Sequence, residues 1–242
     1  MGLFDKKYCD VCGQKIGLLG NRKLEDGNMC KDCAKKLSPF MTDRRRTGLA
    51  EIKEHLAYRE ANRDMVAAFN VSRTLGDNTH VLLDEDSGHF IVTSSSRWRE
   101  ENPDVIPFSQ VTNCSKEIRE SKTEIKRKGK DGKEISYNPP RYDIDYDFYI
   151  TINVNLPWFE EIQFKINNRR VDKRSSVEFK EVDRQADEIV ETLMKQRQNV
   201  RDEIVASRVA GMAQTCPLCG ATTVPDEQGR CEYCRGAMLT SQ

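Results

Sequence analysis

The chain has 242 residues, and its 39 Lys+Arg balance its 39 Asp+Glu, so it is formally neutral at pH 7. Charged residues make up 32% and hydrophobic residues 37%, which is polar for a globule yet too rich in periodic Leu, Ile, Val and Phe for general disorder. A polycation is excluded, and no apolar run approaches the roughly 20 residues of a membrane-spanning helix. The start, Met1-Gly2-Leu3-Phe4-Asp5-Lys6-Lys7, lacks the apolar stretch of a secretory leader, so a cytoplasmic location is expected.

Residues 8–41 read as knuckle, hairpin, knuckle and short helix. Tyr8-Cys9-Asp10-Val11-Cys12-Gly13 is the first knuckle, and the Asp26-Gly27 pair marks a tight hairpin turn. Cys30-Lys31-Asp32-Cys33 opens a short helix that Ser38-Pro39 closes. The chain holds 9 cysteines. Eight form Cys-x2-Cys pairs, two at each end, and Cys114 stands alone. Two such pairs supply the four thiolates of a tetrahedral zinc shell. Cys9, Cys12, Cys30 and Cys33 are expected to hold one Zn²⁺, and Cys216, Cys219, Cys231 and Cys234 a second. Disulfides would need an oxidising compartment, and a redox pair would need one Cys-x2-Cys beside a βαβ unit. Iron–sulfur ligation shares the thiolate chemistry and stays open as the alternative metal. Four thiolates fill the tetrahedron, so structural rather than catalytic metal is expected.

Cys9-Asp10-Val11-Cys12-Gly13, Lys15-Ile16-Gly17-Leu18-Leu19-Gly20, Leu24-Glu25-Asp26-Gly27 and Cys30-Lys31-Asp32-Cys33 resemble an uncharacterised bacterial family. Its members carry an N-terminal four-cysteine, treble-clef-like zinc finger. The resemblance covers roughly the first 40 residues and implies no activity.

Residues 43–70 begin with Asp43-Arg44-Arg45-Arg46 and continue as a helical linker, with Leu49, Ile52, Leu56, Met65, Val66 and Phe69 on or near one stripe. From 71 to 178 the pattern is one of strands. Val81-Leu82-Leu83 and His89-Phe90-Ile91-Val92-Thr93 flank a turn ending in Gly88. Tyr142, Ile144, Tyr146, Phe148, Ile150, Ile152 and Val154 alternate with polar positions, the mark of a long half-buried antiparallel strand. Ile162, Phe164 and Ile166 alternate back after a turn at Leu156-Pro157-Trp158. A helix over roughly 179–213 carries Val182, Ala186, Ile189, Leu193, Val200 and Ile204. At 1.5 Å per residue it would be about 50 Å long, so its second half is expected to project and carry the tail module or pair with a second copy.

Bent antiparallel strands capped by a C-terminal helix resemble the pleckstrin-homology-like fold over about 71–195. That resemblance implies a binding platform for phosphoinositides, peptides or proteins. The tail, Cys216-Pro217-Leu218-Cys219-Gly220 to Cys231-Glu232-Tyr233-Cys234-Arg235-Gly236, is similar to compact zinc ribbons. The expected architecture is α+β: a four-cysteine finger (1–42), a helical linker (43–70), the β domain (71–195), a helix extension (196–214) and a ribbon (215–242).

Charge is uneven. Residues 1–48 carry 11 basic and 6 acidic side chains, and 116–141 carry 9 and 5. Lys126, Arg127, Lys128, Lys130 and Lys133, within a hairpin over 122–133, form the candidate anion-binding segment, read against a solvated hairpin tip. Asp143, Asp145 and Asp147 share a strand face and are expected to face solvent beside that hairpin. His55, His80 and His89, the Ser94-Ser95-Ser96 run, Cys114, Trp98 and Trp158 assemble no catalytic set, so the catalytic residues are none. The expectation is a non-enzymatic zinc-binding adaptor for a protein partner, with nucleic-acid binding through the zinc modules and the basic hairpin as the alternative. Anionic lipid and self-association through the last helix are further expectations.

Overall fold

The structure, a computed structural model, describes residues 7–210, 213–216, 218–226, 229–236 and 238, without the side chains of 204–210 and 214. Residues 1–6, Pro217 and the Ile204 side chain therefore lie outside the described residues. The chain is a mixed α+β protein with antiparallel sheets, a long C-terminal helix and a four-cysteine group near each end. It divides into two compact units, Met1–Met194 and Lys195–Gln242.

The first unit begins with a minimal hairpin, β1 (Arg22–Lys23) and β2 (Asn28–Met29), followed by the one-turn helix α1 (Lys31–Ala34). Cys9, Ile16, Leu24, Met29, Cys30, Cys33 and Leu37 form its small core, and Ile52 of the next helix completes it. That helix, α2 (Leu49–Ala68), has no cap of its own at Gly48. Asp26 of the hairpin turn accepts the Leu49 N–H instead, at 2.7 Å, which places a carboxylate at the positive helix end.

The C-terminal half of α2 meets the strands through Val66 and Phe69, packed with Leu82, Ile91 and Val105. The four-stranded sheet runs β3 (Arg73–Leu75), β4 (His80–Asp84), β5 (His89–Thr93), β6 (Ile106–Pro107), all antiparallel. The middle residues of β4 and β5, Val81 to Leu83 and Phe90 to Val92, are all buried: Leu82 and Ile91 pack with the α2 residues, and Phe90 stacks on Phe108. The short helix α3 (Trp98–Glu101) links β5 to β6. Arg99, just inside it, donates to the Val66 and Phe69 carbonyls at 2.8 and 3.0 Å, so a cation closes the negative end of α2.

A second, three-stranded sheet has the order β7 (Val111–Lys128), β8 (Glu134–Val154), β9 (Glu161–Lys165). The alternation on β8 ends as expected: Tyr146, Phe148, Ile150, Ile152 and Val154 are buried. Its start differs, since Tyr142 is 54% exposed. Strand β9 pairs only with Tyr149 to Asn153, so β7 and β8 continue beyond it as a two-stranded arm. Helix α4 (Val177–Ala210) lies across this unit as far as Met194. Phe179 stacks edge-on against Tyr146 and Phe148, Lys116 of β7 reaches Asp183 and Asp187 at 2.7 Å, and Arg73 of β3 reaches Glu188 at 2.8 Å. Ala186, Ile189 and Leu193 are fully buried on its inner face.

The apolar stripe expected along α2 is corrected in detail. Its buried residues are Ile52, His55, Arg59, Asn62 and Val66, three of them polar, while Met65 is 37% exposed. The Asp143, Asp145 and Asp147 face is corrected too: their partners come from the end of β9 and the chain after it, not from the basic hairpin. Arg170 pairs with Asp143, the Val171 N–H donates to Asp145, and Lys165 pairs with Asp147.

The second unit holds the rest of α4 and a hairpin, β10 (Gln214–Thr215) with β11 (Thr222–Thr223), around the buried cluster Cys216, Cys231 and Met238.

Candidate metal centres

In the N-terminal group the knuckle is made by backbone alone. The Cys9 carbonyl accepts the Gly13 N–H at 2.7 Å, which turns the chain through φ +74°, a conformation that costs glycine nothing. The second pair arrives differently. Cys30 is the N-cap of α1, and its sulfur accepts the Cys33 N–H at 3.3 Å. Across the module the Cys30 N–H donates to Cys9 Sγ at 3.2 Å. One knuckle and one helix N-terminus thus aim four sulfurs at a common point, all within 4.8 Å of one another. The Cys12–Cys30 separation is 3.8 Å, the edge of a tetrahedron whose metal–sulfur bonds are about 2.3 Å.

The C-terminal group uses two knuckles. The Cys216 carbonyl accepts the Gly220 N–H at 2.9 Å, and the Cys231 carbonyl accepts the Arg235 N–H at 2.8 Å. Gly220 and Arg235 take φ +73° and +58°, so an arginine occupies the left-handed position that glycine fills in the other knuckles. Cys216–Cys234 and Cys219–Cys231 are 3.5 and 3.7 Å apart, again tetrahedral edges.

The electrostatics of each group oppose four uncompensated thiolates. Burial opposes ionisation of Cys9, yet the N–H groups of Cys30, Cys12 and Val11 hold its thiol down at about 6. Burial and the neighbouring sulfurs push Cys33 far up, and Cys12 is raised as well. In the other group the Cys219 N–H draws Cys216 down to about 6, whereas, against the pull of the Gly236 amide, the Cys216 and Cys219 sulfurs push Cys234 to about 12. Four thiolates cannot share one pocket without a compensating charge, and a divalent soft ion supplies it. The donor set fits zinc at both sites, two ions per chain.

The remaining candidates stay apart. Lys126, Arg127, Lys128, Lys130 and Lys133 are exposed around the tip of the β7–β8 arm, with Arg127 and Arg141 over the Tyr137 ring. Cys114 is buried on β7, and burial pushes its thiol to about 12. His80 contacts the Gly76 carbonyl and His89 the Ser87 hydroxyl. His55 is buried, its Nε2 accepting the Ser38 N–H at 3.2 Å, with its ring 5.0 Å from that of Trp158. Trp98 packs on Phe69.

One constellation escaped the sequence reading. Arg59, buried, pairs with the fully buried Asp104 at 2.6 Å and also donates to the Lys36 and Asn102 carbonyls. Ser38 donates to the other Asp104 oxygen at 2.7 Å. Asn62 donates to Asn102 and the Pro103 carbonyl and accepts the Val105 N–H. This network fastens the cysteine module, α2 and the chain before β6 to one another. Its only sequence signal is the spacing 52, 55, 59, 62, 66, a helical stripe with polar residues in the middle.

Residues 7–55 match the family model described as Domain of unknown function (DUF4428), which spans the four N-terminal cysteines and the start of α2. No curated protein and no solved structure matches the chain.

Proposed function

We propose that the protein is a non-enzymatic, zinc-binding scaffold for protein–protein interaction. The carrying observation is that each cysteine group brings four sulfurs together, the number that fills a tetrahedral zinc shell. The N-terminal shell shares its apolar core with Ile52 of α2. Metal there orders a surface and leaves no position for substrate. A surface is present in the same unit: a cleft of about 690 Å³ where Phe40, Trp158 and Phe159 meet Asp43, Glu51 and Glu54, and aromatic side chains of this kind are enriched where proteins meet.

The domain organisation we propose is a treble-clef-like finger over 1–42, α2 within 43–70, a pleckstrin-homology-like domain over 71–195, a helix extension over 196–214 and a zinc ribbon over 215–242. Sheets of four and three antiparallel strands, followed by a helix that contacts both, support the middle assignment. A cytoplasmic, bacterial setting belongs to the same reading.

Affinity capture of the zinc-loaded chain from cells, with and without nuclease, tests it. Protein partners that persist after nuclease support the scaffold; their absence removes it. The second reading is nucleic-acid binding by the β7–β8 arm. It is favoured by one observation, a two-stranded ribbon of the width a major groove admits, with exposed cations at its tip. In that case reversing Lys126, Arg127 and Lys128 to Glu abolishes a binding that falls steeply with salt. Binding unchanged by the reversal discards it.

A further inference from the structure

Between the first knuckle and β1 the chain makes the turn Gly17-Leu18-Leu19-Gly20, closed by the Gly20 N–H donating to the Gly17 carbonyl at 3.0 Å. The two leucines hold its central positions and are 92% and 89% exposed. Exposure that complete belongs to a convex tip: neither side chain is folded back on the module. The flanking residues Ile16 and Leu24 are buried, so the base of the turn is anchored in the core that the cysteines share.

Cations surround the tip. Arg22 curls onto the turn and donates to the Leu19 and Asn21 carbonyls, each at 3.3 Å. Lys15 and Lys23 are exposed on either side, and Tyr8, 54% exposed, bridges to Lys15 across the knuckle. Of the nearby acids, Asp10 accepts the Asn28 N–H and Asp26 the Leu49 N–H, while Glu25 is exposed.

We propose that Leu18 and Leu19 seat in the interfacial layer of an anionic lipid membrane, with Lys15, Arg22 and Lys23 on its headgroups. The depth order of the chemistry selects lipid as the occupant. The apolar groups hold the tip of the turn, the cations flank its base, and an exposed amphipathic tyrosine pairs beside Lys15, as in a bilayer where acyl chains underlie a negative headgroup layer. The turn's own hydrogen bond and the Arg22 contact to the Leu19 carbonyl meet backbone needs that a poorly hydrated interface would otherwise leave open. This site lies outside the scaffold reading and does not depend on it.

The test is co-sedimentation of the zinc-loaded chain with vesicles of phosphatidylcholine, with and without phosphatidylserine. The chain is expected to bind the phosphatidylserine vesicles, more weakly in high salt. The Leu18→Ser/Leu19→Ser double variant should bind about tenfold or more weakly, with zinc content unchanged. The Lys15→Glu/Lys23→Glu variant should lose the preference for phosphatidylserine. A Leu18→Trp variant, read by fluorescence, should shift to the blue on adding those vesicles, which keeps the test sound even if the double variant misfolds. Equal vesicle binding by the double variant, or no binding and no blue shift, overturns the proposal. So does a protein partner retained by the wild type and lost by the double variant when vesicles are not bound. Failure to capture any protein partner would remove the scaffold reading and leave this result standing.

Discussion

Arg59 and Asp104 show how much one buried residue pair can carry. Burial pushes the Asp104 carboxyl up and the adjacent guanidinium pulls it back, so the ion pair persists only while both partners and Ser38 are in place. Removing Arg59 leaves Asp104 enclosed without its cation. Arg59→Met should therefore destabilise the first unit by about 3–5 kcal/mol, and Arg59→Met/Asp104→Leu by much less; urea unfolding of both variants is the check. His55 makes a separate prediction. Burial, with Arg59 nearby, lowers its imidazole to about 4 from the ordinary 6.5. The unfolded chain binds the proton first, so this stability is complete above pH 6.5 and is lost as pH falls toward 4. The loss is about 3 kcal/mol at most. The groups around the ring are Arg59, Tyr58, Trp158 and the Ser38 amide. Stability measured from pH 7 to 4 should fall less steeply in His55→Leu than in the wild type.

Among the elements, α2 is held at both ends by distant residues. Asp26, from the hairpin turn, caps its start, and Arg99, from α3, caps its end. Asp26→Ala should cost about 1 kcal/mol of stability with the zinc content unchanged, read by thermal unfolding beside metal analysis. The β7–β8 arm illustrates the opposite condition. Its period-two pattern fixes a strand, but burial follows only where β9 and α4 cover it. The alternation from Tyr142 was therefore legible as strand and illegible as exposure, because period two reports which residues share a face and not whether that face has a neighbour. The same holds for α2: helical spacing found the element, but Arg59 and Asn62 are read as surface until their partners at Asn102 to Asp104 are known.

For the whole molecule the metal sites dominate. Two zinc ions per chain are expected by metal analysis, and Cys33→Ser or Cys234→Ser should each remove one. Loss of the N-terminal ion should also loosen the first unit, since Ile52 packs in that core. The raised Cys12 and Cys33 thiols must release protons on binding, so zinc affinity should rise with pH and chelator resistance should fall as the solution is acidified. A competition titration at two pH values measures this. An affinity flat with pH would contradict a thiolate shell.

The sequence alone determined the two four-cysteine groups, the glycines of two knuckles, the long alternating strand and the last helix. Each of these is written in spacing, and spacing is local information: two residues between cysteines, two along a strand, three or four along a helix. The tertiary structure decided what lies far apart in the chain: the Arg59–Asp104 pair, the caps of α2, the partners of Asp143, Asp145 and Asp147, and the full exposure of Leu18 and Leu19. Burial and pairing depend on which surfaces meet, and a leucine carries the same letter whether a core encloses it or water surrounds it.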